Sequence, residues 1–442
     1  MPKKKTALTI EERLQQALVP AEEQPYEVPE NWVWVRLGEV TKVVGGGTPS
    51  TSKKEYYDEG NISWLSPVDL SNYNGIYISR GNKMITLEGL NNSSAKLLPK
   101  DTVCLTSRAP IGYVAIAEKE LCTNQGFKSF LPSPTYLAKF LYWYLKGNKE
   151  LLESKASGTT FLELSASKAA TIEFPLPPLS EQQRIVERIE ELFAKLDEAK
   201  ERLQEAADSF AVRKAAILHK AFTGELTKQW RRENGVSDES WEEKKLSEIT
   251  ENQDSKRIPL SKSQRDNMNR IYDYYGASGI IDKVDDYIFE GKKLLIGEDG
   301  ANLVTRSKDI AFIADGKYWV NNHAHILDAK DTVLLMYLCH YINNMDLIPY
   351  VTGSAQPKLT QAKMNNIKIF LPTLPEQHEI VRLIDDLLAR ERAAQQAAEQ
   401  ALASIDLMKK SILARAFRGE LGTNKASEAS ALELLRQVLA EN

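Results

Sequence analysis

The chain reads Pro177-Pro178-Leu179-Ser180-Glu181-Gln182-Gln183-Arg184-Ile185-Val186 near its middle and Pro372-Thr373-Leu374-Pro375-Glu376-Gln377-His378-Glu379-Ile380-Val381 near its end. Each segment leads to a second shared one, Ala221-Phe222-Thr223-Gly224-Glu225-Leu226 or Ala416-Phe417-Arg418-Gly419-Glu420-Leu421. Glu181 and Glu376 are 195 positions apart, as are Phe222 and Phe417, so no insertion separates the two ends of the repeat. A gap-free repeat with a different block before each copy predicts two similar half-molecules in tandem.

The repeated segment has the apolar spacing of a coiled coil, because apolar residues recur at alternating steps of four and three. These seam residues are Ile185, Ile189, Leu192, Leu196, Leu203, Phe210 and Ile217 in the first copy and Ile380, Ile384, Leu387, Ala394, Ala398, Ile405 and Ile412 in the second. Each copy has one polar lapse, at Arg213 and Glu391. We predict two long helices that end near Gly224 and Gly419 and pair antiparallel. The alternatives are that each helix packs on its own block, or that the seams form a homodimer.

The blocks before the two helices share an order of features but not a sequence. Each opens with Trp and Leu, at Trp32 and Trp241, and later has an apolar strand followed by a Gly-containing turn, at 103–112 and 294–302. An aromatic-rich helical run then follows. Short β-branched runs broken by Gly, Asn and Pro are typical of mixed α+β domains.

We therefore predict an α+β fold in which two similar mixed α/β domains are separated by a long antiparallel two-helix coiled-coil spacer with pseudo-two-fold symmetry. The predicted segments are 1–27 for an N-terminal helical segment, 28–178 for the first domain, 179–227 for the first spacer helix, 228–373 for the second domain, 374–422 for the second spacer helix and 423–442 for a C-terminal helical tail.

Composition restricts the functional classes. The net charge is −4, with 16 Lys+Arg against 13 Asp+Glu in residues 30–172 and 17 against 19 in residues 239–369. Neither block has the basic excess of an autonomous nucleic-acid binder, so either partners supply much of the phosphate contact or positive charge is clustered on one face. Three cysteines without a Cys-x-x-Cys pair indicate a reducing cytoplasm, and no apolar run is long enough to span a bilayer.

Motifs for catalysis are missing from the sequence. It contains no Asn-Pro-Pro-aromatic motif for adenine methylation, no glycine-rich cofactor fingerprint and no phosphate-binding loop. The pair His323 and His325 lacks the further ligands that a metal site needs, so we expect no metal. The chain is therefore predicted to be non-catalytic by itself.

Polar loops provide candidate nucleic-acid contacts, although Ser, Thr, Asn, Gln and Gly are equally common in ordinary turns. Arg108 leads the candidates because an arginine at the end of a strand can fork onto guanine or a phosphate, unless it closes a structural salt bridge. Tyr275 has a core position as its alternative. The candidates are Thr48, Ser50, Ser107, Arg108, Asn124, Gln125 and Thr159 in the first block and Lys256, Arg257, Tyr275, Ser278, Asn302, Asn322, His323, Gln356 and Lys358 in the second.

The chain resembles the DNA-specificity subunit of a type I restriction-modification system. The resemblance runs from about Thr9 to about Leu439 and rests on the segment Pro25 to Trp32, on Gly46-Gly47-Thr48-Pro49-Ser50, and on the paired Leu-x-Glu-Gln and Phe-x-Gly-Glu-Leu segments. It implies two target recognition domains, each of which reads half of an asymmetric bipartite site in double-stranded DNA. It also implies that the helices set the spacer between the half-sites and dock two methyltransferase subunits.

The same resemblance implies two restriction/translocase subunits as further partners, no membrane contact and a cytoplasmic complex. It implies no cofactor on this chain, while the complex would use S-adenosylmethionine, and ATP with Mg if it restricts. Two alternatives stay open. One is a coiled-coil protein-protein scaffold with two end-binding domains, and the other is the specificity subunit of a modification-only complex.

Overall fold

The computed structural model describes residues 9–108, 110–158, 162–353 and 355–441. The chain divides into two compact units, Met1–Arg202 with Leu402–Asn442, and Leu203–Ala401. The first unit contains the block that precedes the first long helix, and the second unit contains the block that precedes the second. Each long helix contributes one part to each unit.

The first unit is a mixed α/β unit. Its strands are β1 (Val33–Arg36), β2 (Val43–Gly45), β3 (Ile62–Leu65), β4 (Tyr77–Ile78), β5 (Lys83–Ile85), β6 (Val103–Ser107), β7 (Ile111–Ala117), β8 (Cys122–Thr123), β9 (Phe127–Phe130) and β10 (Glu173–Leu176). Its helices are α1 (Ile10–Ala17), α2 (Leu37–Val40), α3 (Leu87–Asn91), α4 (Ala138–Gly147), α5 (Lys149–Lys155), α6 (Ala166–Ala170) and the first part of α7 (Leu179–Phe222). The strands pair in the orders β1-β10, β2-β9-β6-β7-β4 and β5-β3-β8.

The second unit repeats this plan with its own strands. They are β11 (Glu242–Lys245), β12 (Glu251–Asn252), β13 (Tyr272–Gly276), β14 (Gly279–Val284), β15 (Phe289–Glu290), β16 (Lys293–Gly297), β17 (Ala311–Ala314), β18 (Lys317–Val320), β19 (Ala324–Asp328) and β20 (Lys368–Leu371). Its helices are α8 (Lys228–Asn234), α9 (Leu246–Ile249), α10 (Lys262–Asp266), α11 (Asn302–Thr305), α12 (Thr332–Asn344), α13 (Gln361–Asn365) and the first part of α14 (Leu374–Ala416); α15 (Ala431–Glu441) belongs to the first unit. The strand orders are β11-β20, β12-β19-β16-β17 and β14-β13-β18-β15.

The two main sheets share one core arrangement. The order β2-β9-β6-β7 in the first unit corresponds to β12-β19-β16-β17 in the second, and both central strands, β6 and β16, pair antiparallel with both neighbours. Helices α4 and α12 pack on these sheets, and α4 buries six consecutive side chains from Phe140 to Leu145. A short helix that is apolar on all sides belongs inside a core. The predicted strands and aromatic-rich helices are confirmed.

The two spacer helices are continuous over 44 and 43 residues, which corresponds to about 65 Å each. Pro375 lies in the first turn of α14, where a missing N–H costs no intrahelical hydrogen bond. Gly224 and Gly419 follow the helix ends with φ of 76° and 73°, a left-handed conformation that commonly terminates helices. The predicted helix ends are confirmed.

Within the first unit, α7 and α14 run antiparallel. Glu181 at the start of α7 accepts a hydrogen bond from Asn424, which lies beyond the end of α14. Further along α7, Asp197 Oδ1 lies 2.5 Å from Nζ of Lys409, a residue of α14 that precedes Asn424 in the chain. The contact partners therefore move back along the chain as α7 advances. Ile185 and Ile189 share a buried cluster with Leu413.

Within the second unit, the same two helices are again antiparallel. Thr227, just after α7, hydrogen-bonds Glu376 at the start of α14 with a length of 2.7 Å. Arg213 Nε lies 2.9 Å from Glu391 Oε2. These two residues are the polar interruptions of the predicted seams. They form an ion pair, so each charge in the seam has a partner of opposite charge.

Most of the predicted seam is covered from solvent. Ile185, Ile189, Phe210, Ile380, Ile384, Ala398 and Ile405 are buried, and Leu192, Leu196, Leu203, Ile217, Leu387 and Ile412 are partly buried. Ala394 is exposed, so the prediction was wrong at this position. Its single methyl group gives little apolar area to bury, so the repeat pattern places only a weak demand on it.

A buried glutamate anchors the start of each spacer helix. Glu181 is fully buried and accepts hydrogen bonds from Trp32 Nε1 and Asn424 Nδ2, both at 2.8 Å. Glu376 is also fully buried and accepts from Trp241 Nε1 at 3.1 Å and from Arg231 at 2.7 Å. The repeated Glu of Leu-x-Glu-Gln therefore joins three segments: the block entry, the helix start and the segment that follows the other spacer helix.

The ends of the described chain pack together in the first unit. Thr9 and Glu12 form a capping box at the start of α1, which lies against α15. Arg13 donates to the carbonyl of Leu439 at 3.0 Å, and Arg436 lies 3.4 Å from Glu11. Among the described residues, none of the helices has the length and hydropathy needed to cross a membrane.

Candidate nucleic-acid interface

Three segments of the first unit meet where β6 ends. The backbone N–H of Ser107 donates to Gly126 O at 2.7 Å, and Leu164 N–H donates to Ser107 O at 2.9 Å. The next residue, Arg108, forms an isolated β-bridge with Glu163. The end of β6, the turn after β8 and the segment around Glu163 therefore form one backbone frame.

Polar side chains cluster on this frame. Lys128, whose side chain is only 10% exposed, lies with Nζ 3.2 Å from Ser107 Oγ and 3.3 Å from Glu163 Oε1. Thr48 donates to the side chain of Gln125. Asn124 Oδ1 accepts from Gly126 N–H at 2.8 Å, which holds the turn. The predicted Thr48, Ser107, Arg108, Asn124 and Gln125 are thus brought together.

Two further residues were predicted in the first block. Ser50 Oγ lies 2.9 Å from Ser52 Oγ, and among the described residues no side-chain hydrogen bond joins Ser50 to the frame. Thr159 lies outside the described residues.

The second unit builds the same frame at the end of β16. Glu298 N–H donates to His323 O at 2.8 Å, and Leu359 N–H donates to Glu298 O at 2.8 Å. Asp299 then forms an isolated β-bridge with Lys358. The turn that carries His323 is held by Asn321, whose Oδ1 accepts from His323 N–H as Asn124 accepts from Gly126 N–H.

Ion pairs dominate the second frame. Glu298 Oε2 lies 2.7 Å from Arg257 Nη1, and its Oε1 lies 3.1 Å from Lys358 Nζ. Burial alone would raise the pKa of Glu298, but hydrogen bonding to Arg257, the charge of His325 and hydrogen bonding to Lys358 together hold its pKa below the ordinary value. His323 Nδ1 lies 2.8 Å from Asp299 Oδ2.

The two neighbouring histidines face different carboxylates. His325 is buried, with Nδ1 2.5 Å from Asp254 and Nε2 2.7 Å from the carbonyl of Leu359. Burial would raise the pKa of Asp254, but hydrogen bonding to His325 and the charge of His325 lower it overall. The two rings are therefore held by different carboxylates, His323 by Asp299 and His325 by Asp254.

The other predicted residues of the second block have varied positions. Tyr275 is 9% exposed and stacks on Phe312, so it is a core residue and the prediction of a nucleic-acid contact was wrong: its ring fills the space between two sheets. Asn302 bonds internally to Lys308 O. Lys256, Ser278, Asn322 and Gln356 are exposed, and Asn322 corresponds in the frame to Gln125.

Sequence reasoning missed the charged groups that organise both frames. They are Lys128 and Glu163 in the first unit and Asp254, Glu298, Asp299 and His325 in the second. A signal was present, since Lys128 interrupts the apolar strand around Phe127 and Phe130, and a charge inside an apolar strand needs a partner. The sequence analysis also did not predict that the apolar side chains of Val68, Ile280 and Ile281 are exposed.

Comparison with known proteins places the chain among its relatives. The family model for the type I restriction modification DNA specificity domain matches residues 29–207 and 238–401. The chain is 28% identical over 398 residues to the specificity subunit of the type I restriction enzyme MjaIX of Methanocaldococcus jannaschii, covering 82% of this chain and 88% of that protein. It is 24% identical over 454 residues to the StySPI specificity subunit of Salmonella potsdam, covering 94% and 96%.

Solved structures agree on the fold. The crystal structure of the HsdS subunit from Thermoanaerobacter tengcongensis matches with a TM-score of 0.65 at 19% identity, over 90% of this chain and 99% of that one. A chain from a structural study of complex assembly and conformational transition in the type I R-M system matches with a TM-score of 0.60 at 19% identity, over 90% and 100%. Because the family model matches twice and covers most of the residues, this chain belongs to the type I restriction-modification DNA specificity domain family.

Proposed function

We propose that this chain is the DNA-specificity subunit of a type I restriction-modification complex and that each unit reads one half of an asymmetric bipartite target. The observation that carries the proposal is the duplicated backbone frame at the ends of β6 and β16, which presents different side chains in the two units. An equivalent frame approaches a duplex in an equivalent way, while base choice depends on the side chains. Two different half-sites follow from two different sets.

The charge of the chain supports a role within a larger complex. With a net charge of −4 and near-neutral blocks, this subunit contributes base recognition, while two methyltransferase subunits supply much of the phosphate contact. S-adenosylmethionine belongs to those subunits. ATP with Mg belongs to two restriction/translocase subunits where the complex restricts. We place the complex in the cytoplasm, in agreement with three unpaired cysteines.

The test is to express the chain with its methyltransferase subunits and to map methylated adenines in cellular DNA by long-read sequencing. The expected result is one bipartite motif with two unlike halves and a constant gap. A complex that shows no methylation and no DNA dependence of assembly would contradict the proposal and favour the protein-protein scaffold. ATP-dependent cleavage of unmodified DNA after addition of the translocase subunits separates restriction from modification alone.

A further inference from the structure

We propose that Arg108 and Asp299 occupy equivalent positions in the two units and that each decides one base of its own half-site, Arg108 by donating to guanine and Asp299 by accepting from a major-groove amine, that of cytosine or adenine. This inference rests on the proposed function, because it assigns residues to the two halves of that target. It makes a stronger claim, since it predicts which chemistry differs between the halves.

The equivalence of the two positions follows from backbone hydrogen bonds. Ser107 donates to the turn residue Gly126 and accepts from Leu164, whereas Glu298 donates to His323 and accepts from Leu359, with all four lengths between 2.7 and 2.9 Å. The residue that follows each of them is Arg108 or Asp299. Each then bridges a third segment, at Glu163 and Lys358 respectively.

The charges on this shared frame are exchanged between the units. The first unit has a basic residue, Arg108, at the strand end and an acidic residue, Glu163, on the bridged segment. The second unit has an acidic residue, Asp299, at the strand end and a basic residue, Lys358, on the bridged segment. Hydrogen-bond donors and acceptors are therefore inverted at one position of a common backbone frame.

The guanidinium of Arg108 is free to bind a ligand because the carboxylate of Glu163 is already paired with another side chain. Lys128 holds the carboxylate of Glu163 at 3.3 Å. Among the described residues, no side-chain hydrogen bond or ion pair engages the guanidinium of Arg108, which is partly exposed. A free guanidinium has the planar donor fork that matches the O6 and N7 acceptors of guanine.

Asp299 is available for a similar reason. Glu298 holds the ammonium of Lys358 at 3.1 Å, which leaves Asp299 with His323. His323 contacts Oδ2, and within the described part of the chain no hydrogen bond or ion pair engages Oδ1. A carboxylate is repelled by phosphates and accepts well from the N4 amine of cytosine, so Asp299 suits a base edge rather than the DNA backbone.

Reciprocal substitutions in the full chain, assembled with its methyltransferase subunits, test the inference. Methylated sites are mapped by long-read sequencing for Arg108→Asp and Asp299→Arg. Arg108→Asp should replace guanine by cytosine or adenine at one position of the first half-site, and Asp299→Arg should introduce guanine at one position of the second. The preference ratio should change on the order of tenfold to a hundredfold, with the other half-site unchanged.

Matched variants separate base recognition from general charge. Lys119→Asp changes the charge equally in an exposed turn between β7 and β8 and should leave both half-sites as they are. Arg108→Met keeps the length of the side chain and removes its donors, so relaxed guanine choice supports the inference, while weaker methylation with unchanged choice points to a phosphate contact and overturns it. If Arg108→Asp lowers the melting temperature, Arg108→Gln serves in its place and should shift the preference towards adenine.

The outcomes distinguish this inference from the proposed function. Variants that weaken methylation equally at all sequences, or that leave every base unchanged, overturn the inference and leave the proposed function intact. A wild-type complex without any bipartite methylated motif overturns the proposed function itself.

Discussion

At the scale of single residues, the repeated glutamates show that one motif position has two energetic roles. Glu181 is surrounded by neutral donors, Trp32 and Asn424, and burial raises its pKa despite their hydrogen bonds. Glu376 instead forms a buried ion pair with Arg231, whose side chain is 7% exposed. The same substitution should therefore have different effects in the two units.

Glu181→Gln should be close to neutral at pH 7, because it removes a buried charge and keeps an acceptor. Since burial raises the folded-state pKa of Glu181, its protonated form stabilises the fold fully below the unfolded pKa, and this contribution is lost as pH rises through the folded pKa. The variant should lack this decline in stability. Denaturant midpoints between pH 4 and 8 measure it; the same decline in variant and wild type would assign the pH dependence to another group.

Glu376→Gln should destabilise the second unit by about 3–5 kcal/mol, because Arg231 would stay buried without its main counter-charge. Hydrogen exchange of peptides around Trp241 and Arg231 locates the effect, and peptides around Trp32 provide the internal comparison. Unaltered protection near Trp241 would mean that Asp238, 2.9 Å from Arg231, is sufficient.

At the scale of elements, the spacer helices contain a charged pair where the seam is polar. Exchanging it in Arg213→Glu with Glu391→Arg should preserve pairing, whereas Arg213→Glu alone places like charges together and destabilises the second unit by about 1 kcal/mol. The pair is partly exposed, which limits the magnitude. Denaturant midpoints of both single variants and the double variant measure the coupling; purely additive effects would show that the pair does not interact.

Local patterns were sufficient to predict α7, α14 and the strands at Val103 and Leu294, because apolar period and end residues lie close in sequence. The order of strands was beyond reach, since β2 pairs with β9 across a long stretch of chain. The candidate site was partly predicted: Arg108 and Lys358 lie on the frames, but Tyr275 is buried. Lys128 has a local signal, because it is a charge within an apolar strand, but its partner Glu163 comes from a distant segment and could not be predicted from local sequence.

At the scale of the whole molecule, the duplication has a consequence for target choice. Each spacer helix begins in the core of one unit, with Ile185 or Ile380, and ends in the core of the other, with Leu218 or Leu413. One chain therefore links the two backbone frames through two continuous helices. If those helices act as a ruler, their length sets the gap between the half-sites and leaves the bases unchanged.

Lengthening both helices tests the ruler. Four residues inserted after Ala207 and four after Ala397 add about one turn to each helix, or about 6 Å, which compares with about 3.4 Å per base pair. The recognised gap should grow by about one or two base pairs while both half-sites keep their bases, because the frames are not altered. Methylated-site mapping measures the gap, and the same insertion after Lys119 is the control. An unchanged gap in a folded, active complex would show that the helices hold the units without measuring DNA.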